Sequence, residues 1–133
     1  MIRLDIVTPE KKVFSDDVAN VYLPTAMGEI GVLQSHTALV TPLVPGELRY
    51  EKDGKTYELA VGSGFVEAGP DSISVLTDMA LTAHEIDETA AEKAQREAEE
   101  ALDKLDNNED AEEIAQLRAT ISRSTAQLSL KRR

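Results

Sequence analysis

The chain has 133 residues, enough for one domain or for one compact domain with an appendage. A net charge of −11 excludes nucleic acid held by bulk attraction, and the absence of cysteine excludes disulfides and thiolate metal sites. No apolar run reaches the length of a membrane span and no signal-peptide core follows Met1, so the expectation is a soluble chain that meets a membrane only from its surface.

The chain divides by composition near residue 84. All seven glycines and all five prolines lie before residue 71. Residues 1–84 carry a net −6, residues 85–110 a net −8 and residues 111–133 a net +3. Turn formers thus belong to the first part and helix formers to the second, which predicts two units, 1–84 and 85–133. With no Trp and 4% aromatics, the core must come from Val, Ile, Leu and Ala.

The first unit reads as short strands. Ile2, Leu4 and Ile6 alternate with Arg3 and Asp5. Ala19, Val21 and Leu23 alternate as far as Pro24. Gly28-Glu29-Ile30-Gly31-Val32-Leu33 reads as a tight turn feeding a buried strand, closed by Gln34-Ser35-His36-Thr37. A phosphate loop would need a Lys and a Ser or Thr after the second glycine; here Val32 and Leu33 follow. Ala38-Leu39-Val40 runs to Pro42. Between Leu48 and Leu59, Asp53-Gly54 separates two alternating runs, which favours a type I′ hairpin. Phe65–Ala68 and Ile73–Leu76 flank Gly69-Pro70-Asp71 as a second hairpin. Many short strands with frequent turns predict a β-sandwich or barrel.

The second unit reads as two helices. Asp87 is placed as an N-cap, without a Glu or Gln three residues on to complete a capping box. Ala91, Ala94, Ala98, Ala101 and Leu105 follow a 3-4-3-4 spacing. It returns at Ile114, Leu117, Ile121, Ser124 and Leu128. Two matching seams joined by a short polar link predict an antiparallel hairpin.

Candidate chemistry is sparse. His36 and His84 are the two histidines, and no partner for a nucleophile–base pair or a metal lies at a usable spacing. By residue type His36 reads as a hydrogen-bonded turn residue, His84 as a solvated linker residue and Glu29 as a solvated turn carboxylate. Arg118, Arg123, Lys131, Arg132 and Arg133 read as a charged face that complements a helix C-terminus. The residues supply no catalytic group and demand no cofactor.

As a pattern the chain says more. Gly28-Glu29-Ile30-Gly31-Val32-Leu33-x-x-His36 is preceded by Leu23-Pro24-Thr25 and followed by Pro45-Gly46-x-Leu48-Arg49. Gly62-Ser63-Gly64-Phe65, Val75-Leu76-Thr77-Asp78-x-Ala80 and an acidic, alanine-rich tail from Ile86-Asp87-Glu88 come next. In this order the motifs resemble the epsilon subunit of the F-type ATP synthase. The resemblance implies an N-terminal sandwich of two five-stranded sheets with a C-terminal helical hairpin. It also implies a non-catalytic rotor role that couples shaft and ring for proton-driven ATP synthesis. The partners it implies are the gamma (shaft) subunit, the membrane c-ring and, when the hairpin extends, the alpha/beta head. The implied location is peripheral, on the cytoplasmic face of a bacterial inner membrane or its thylakoid equivalent. Glu29 and His36 stand where the family meets the ring. The five bases stand on the helix that blocks ATP hydrolysis; Leu117-Arg118-Ala119 matches its motif, and Ser122-Arg123-Ser124 is more polar than the pattern. Some members bind ATP through Ile/Leu-Asp-x-x-Arg-Ala. Here Ile86-Asp87-Glu88-Thr89-Ala90-Ala91 puts Ala90 where the arginine belongs, so the phosphate partner is missing.

Two rivals stand beside this reading: a free-standing ligand-binding or enzymatic β-sandwich with a helical dimerisation tail, and an adaptor without a brake.

Overall fold

Period-two alternation of apolar residues turns the first part of the chain into strands, each with one face in a shared core. The computed structural model describes residues 1–33, 38–105 and 111–133. In it the strands are β1 (Ile2–Val7), β2 (Lys12–Val18), β3 (Asn20–Thr25), β4 (Gly28–Leu33), β5 (Leu39–Leu43), β6 (Gly46–Lys52), β7 (Lys55–Val61), β8 (Gly64–Ala68), β9 (Ser72–Thr77) and β10 (Ala80–Leu81).

They form two five-stranded layers, β4-β3-β6-β7-β10 and β5-β8-β9-β1-β2. Among the described residues, strand pairing passes from one layer to the other at the β3–β5 pair Thr25–Leu43, so the sandwich is nearly a barrel. The chain also crosses at Ala19, where β2 runs into β3. Between the layers, Ile2, Leu4 and Ile6 of β1 meet Leu23, Leu48 and Val66, all essentially inaccessible to water. Each such side chain contributes roughly 1.5–3 kcal/mol by burial.

The predicted β6–β7 hairpin has the expected turn: Asp53 has φ 53° and Gly54 φ 78°. Alanine at a left-handed position costs about 1–2 kcal/mol. Gly54→Ala is therefore expected to lower urea stability by about 1 kcal/mol. An unchanged midpoint would mean that the turn relaxes to another type without loss.

Three strand features differ from the sequence reading. β2 was not anticipated, because Lys12–Phe14 and Ser15–Asp17 are exposed or half-buried without a clean alternation. It is tied to the other layer by Phe14 against Tyr50, centroids 4.6 Å apart, and by the Lys52–Asp16 ion pair. That ammonium holds the Asp16 carboxyl below its ordinary range. β10 is too short for a periodic signal. The prolines expected to end strands lie inside them: β3 continues through Pro24 after its β6 pairing has ended at Tyr22, and β5 is an edge along most of its length at Pro42. A missing N–H costs little at such places.

A 3₁₀ turn, Ala83–Glu85, leads into α1 (Glu88–Asp103); α2 (Ala111–Lys131) follows. The Glu85 carboxylate accepts hydrogen bonds from the Thr82 N–H and hydroxyl, and these hold its pKa below the usual value. The helices are antiparallel, with Gln95 of α1 bonded to Thr125 of α2 and Glu88 to Arg132. The expected seam is present: Ala91, Ala98, Ser124 and Leu128 are buried, and Ile114, Leu117 and Ile121 are half-buried. What periodicity did not reveal is the second buried face of α2. Ala126 and Leu130 are buried as well, and Leu130 packs with Ile86 and with Ala60, an outward residue of β7. Thus α2 lies on the outer face of β6 and β7, and α1 packs on α2.

Candidate functional site

Glu29 lies on the edge strand β4 opposite Pro24, so it is a strand residue and not a free turn carboxylate. Gly28 enters the strand with φ 103°, a conformation that favours glycine. Gly31 is needed for space: a Cβ there would press into the Tyr22 ring. The ring supports Arg49, whose guanidinium lies 5.1 Å from its centroid and reaches Glu29 at 2.8 Å. Gly31, Tyr22, Arg49 and Glu29 therefore make one braced patch, with the carboxylate half-exposed and already paired. His36 lies outside the described residues.

The five cations of the second helical stretch do not act alike. Arg118 is exposed, beside a groove of about 510 Å³ shared with Pro45, Ser63 and the first turns of α2. Arg123 reaches Asp78, in the β9–β10 turn, at 3.5 Å. The Lys131 ammonium donates to the Ala83 carbonyl at 2.9 Å. Arg132 spans Glu88 and Glu92 on α1, and these carboxylates push its pKa up. Arg133 binds Glu58 at 2.9 Å and Glu47, both on the outer face of the sandwich. Four of the five thus hold the hairpin in place here. Their acidic partners were invisible to sequence reasoning because they lie 40 or more residues away for Arg132 and 75 away for the Arg133–Glu58 bond.

At the start of α1, Ile86 is buried in the junction and the Asp87 carboxylate accepts from the Ala90 N–H at 3.0 Å. Asp87 is thus occupied as a cap, and Ala90 offers no cation to a phosphate. A lost charge-assisted contact removes about 1.5–3 kcal/mol, roughly ten- to a hundredfold in affinity. Calorimetry on the free chain is expected to detect no micromolar ATP binding; such binding would require another cation to have taken the arginine's place.

The opposite layer carries a feature the sequence reading passed over. The outward residues Pro42, Phe65, Leu76 and Val7 fall in register across β5, β8, β9 and β1. Phe65 is 57% and Leu76 50% exposed. Beside them a cleft of about 370 Å³ runs along Val7, Pro9, Gly64 and Asp78. Large apolar residues at outward positions of otherwise alternating strands were the signal available beforehand. Among the described residues no helix is long and apolar enough to cross a membrane.

Comparison with known proteins agrees with this architecture. Residues 1–83 match the family described as the ATP synthase delta/epsilon chain, beta-sandwich domain. The ATP synthase epsilon chain of Herpetosiphon aurantiacus is 43% identical over 129 residues, 96% of this chain and 95% of that one. That of Pelotomaculum thermopropionicum is 46% identical over 102 residues, covering 77% and 76%. Among solved structures, a chain in the cryo-EM structure of the Euglena gracilis mitochondrial ATP synthase, OSCP/F1/c-ring, superimposes with a TM-score of 0.78. It is 25% identical, over 96% of this chain and 79% of that chain.

Proposed function

The chain belongs to the ATP synthase epsilon chain family, and from that premise we propose that it is a non-catalytic central-stalk subunit that links the gamma shaft to the c-ring. The observation that carries this reading is the correspondence with epsilon chains over 96% of its length, helices included. The geometry supports a division of labour. The Phe65–Leu76 row offers an apolar face to the shaft, and Glu29, with His36, meets the polar loops of the ring. The sandwich then transmits rotation between them, as a peripheral subunit on the cytoplasmic or stromal side of the membrane.

The hairpin supplies a brake. When it leaves the sandwich, the cations of α2 face the acidic surfaces of the alpha/beta head and oppose ATP hydrolysis. In the compact form most of them are occupied by Asp78, Glu47, Glu58, Glu88 and Glu92. The compact form is therefore the released state of the brake.

The test is a pull-down of the tagged chain from solubilised membranes. Stoichiometric recovery of shaft and ring subunits is expected, and a chain that emerges alone overturns the stalk assignment. Deleting residues 87–133 is expected to raise ATP hydrolysis by the assembled complex; an unchanged rate removes the brake and leaves an adaptor.

A further inference from the structure

We infer that Arg133 is a charge-compensating latch, and that Glu47 is what makes it one. Glu47 sits on the outer face of β6, opposite Ala60 of β7, where α2 covers the sheet. Ala60 is fully buried by that cover, and the Glu47 side chain retains only 16% exposure. Among the described residues, one Glu47 oxygen is inaccessible and has no hydrogen-bond partner, while the other is paired with Arg133. A carboxylate in that position has lost much of its water and depends on a single cation. Glu58, 30% exposed, binds the same guanidinium from β7, so Arg133 lies between two carboxylates of the sandwich.

This pair differs from the other ion pairs of the hairpin. Arg132 with Glu88 and Glu92 joins residues all about half-exposed, where pairing contributes little. With Glu47 the asymmetry is larger: removing the cation leaves a charge that is covered but uncompensated, unless α2 lifts away and water returns. Docking of α2 and neutralisation of Glu47 are then one event. The neighbouring contacts of Leu130 with Ala60 and Ile86, and of Lys131 with the Ala83 carbonyl, align α2 so that Arg133 reaches its site.

The role of this latch in controlling hydrolysis rests on the brake reading above; its role in holding the hairpin does not. A partner with a dense acidic surface would release the hairpin by competing for Arg133, after which Glu47 is hydrated and no longer opposes opening.

The experiment uses the full chain. It has no native cysteine, so spin labels at Glu10→Cys and Glu99→Cys, exposed sites on the sandwich and on α1, report their separation directly. Arg133→Ala is expected to raise the separated population about tenfold, with the dispersed amide spectrum of the sandwich retained. Arg133→Ala with Glu47→Gln is expected to return most of the compact population, because the covered charge is gone. A distance distribution unchanged by Arg133→Ala overturns the latch. Equal opening in the single and double variants also overturns it, since Arg133 would then act by packing. Hydrolysis is read instead in the complex carrying Glu47→Lys, which repels Arg133 and keeps every cation of α2: if the distances respond as expected but that rate equals the wild type's, the latch stands and the brake reading fails.

Discussion

Replacing Gly64 with alanine is expected to lower the stability of the sandwich by about 2–3 kcal/mol, the upper part of the range for overpacking a close-packed interior. Gly64 lies between Leu43 and Thr77 in the β5–β8–β9 register. A Cβ there would overlap the backbone carbonyl of Leu76, and backbone held in a ladder cannot swing aside as a side-chain end can. Gly62, two residues earlier, is the instructive contrast. A Cβ at Gly62 meets the Asp78 carboxylate, which can rotate away. Gly62→Ala is therefore expected to cost less, and to do so through Asp78 and its ion pair with Arg123. Gly69 is the control, because its nearest contact would be ordinary at 3.7 Å from the Ser72 hydroxyl. Urea unfolding of the three variants checks the order, and a Gly64→Ala midpoint equal to that of Gly69→Ala would mean that β8 and β9 can separate without loss.

The Gly62-Ser63-Gly64 run illustrates what was legible in advance. As letters it contributed to a pattern; the physical reason for Gly64, backbone packed against backbone across β8 and β9, needs the register. Local signals translated directly. Asp53-Gly54 specified a turn because two adjacent left-handed residues admit few alternatives, and the alanine spacing in residues 91–101 specified a seam because a helix repeats regularly. β2 failed as a signal because the adjacent residues Val13 and Phe14 are both half-buried, so neither face of it is cleanly apolar. The second buried face of α2 failed for a related reason: Ala126 and Leu130 fall between the seam positions and look like surface until a sheet is placed beneath them. The charges of α2 were visible, but their partners come from β6, β7, β9–β10 and α1. No spacing rule connects such distant residues.

The apolar row gives the largest expected effect on assembly. On the stalk assignment proposed above, Leu76→Lys is expected to weaken retention of the chain by the shaft subunit roughly thirtyfold or more, the scale of a central interface residue. The argument begins with exposure. Leu76 and Phe65 face water on β9 and β8, so a polar replacement removes no core contact, and stability should change by no more than about 0.5 kcal/mol. A lysine that must be covered by a partner is different, because its charge would be desolvated in an apolar row, and Asp78, the carboxylate of the adjoining cleft, is already paired with Arg123. The row also lies on the layer opposite the hairpin, so its use does not depend on whether α2 is docked. Leu76→Lys should therefore leave the sandwich–hairpin distance unchanged while co-purification falls. Val40→Lys supplies the comparison: Val40 is 70% exposed, but its cross-strand neighbours are Glu67 and then Ser74, and a cation there has acceptors nearby. Its effect on retention should be several times smaller. Equal loss in both variants would extend the interface over the whole layer, and undiminished retention in Leu76→Lys would place the shaft on another face.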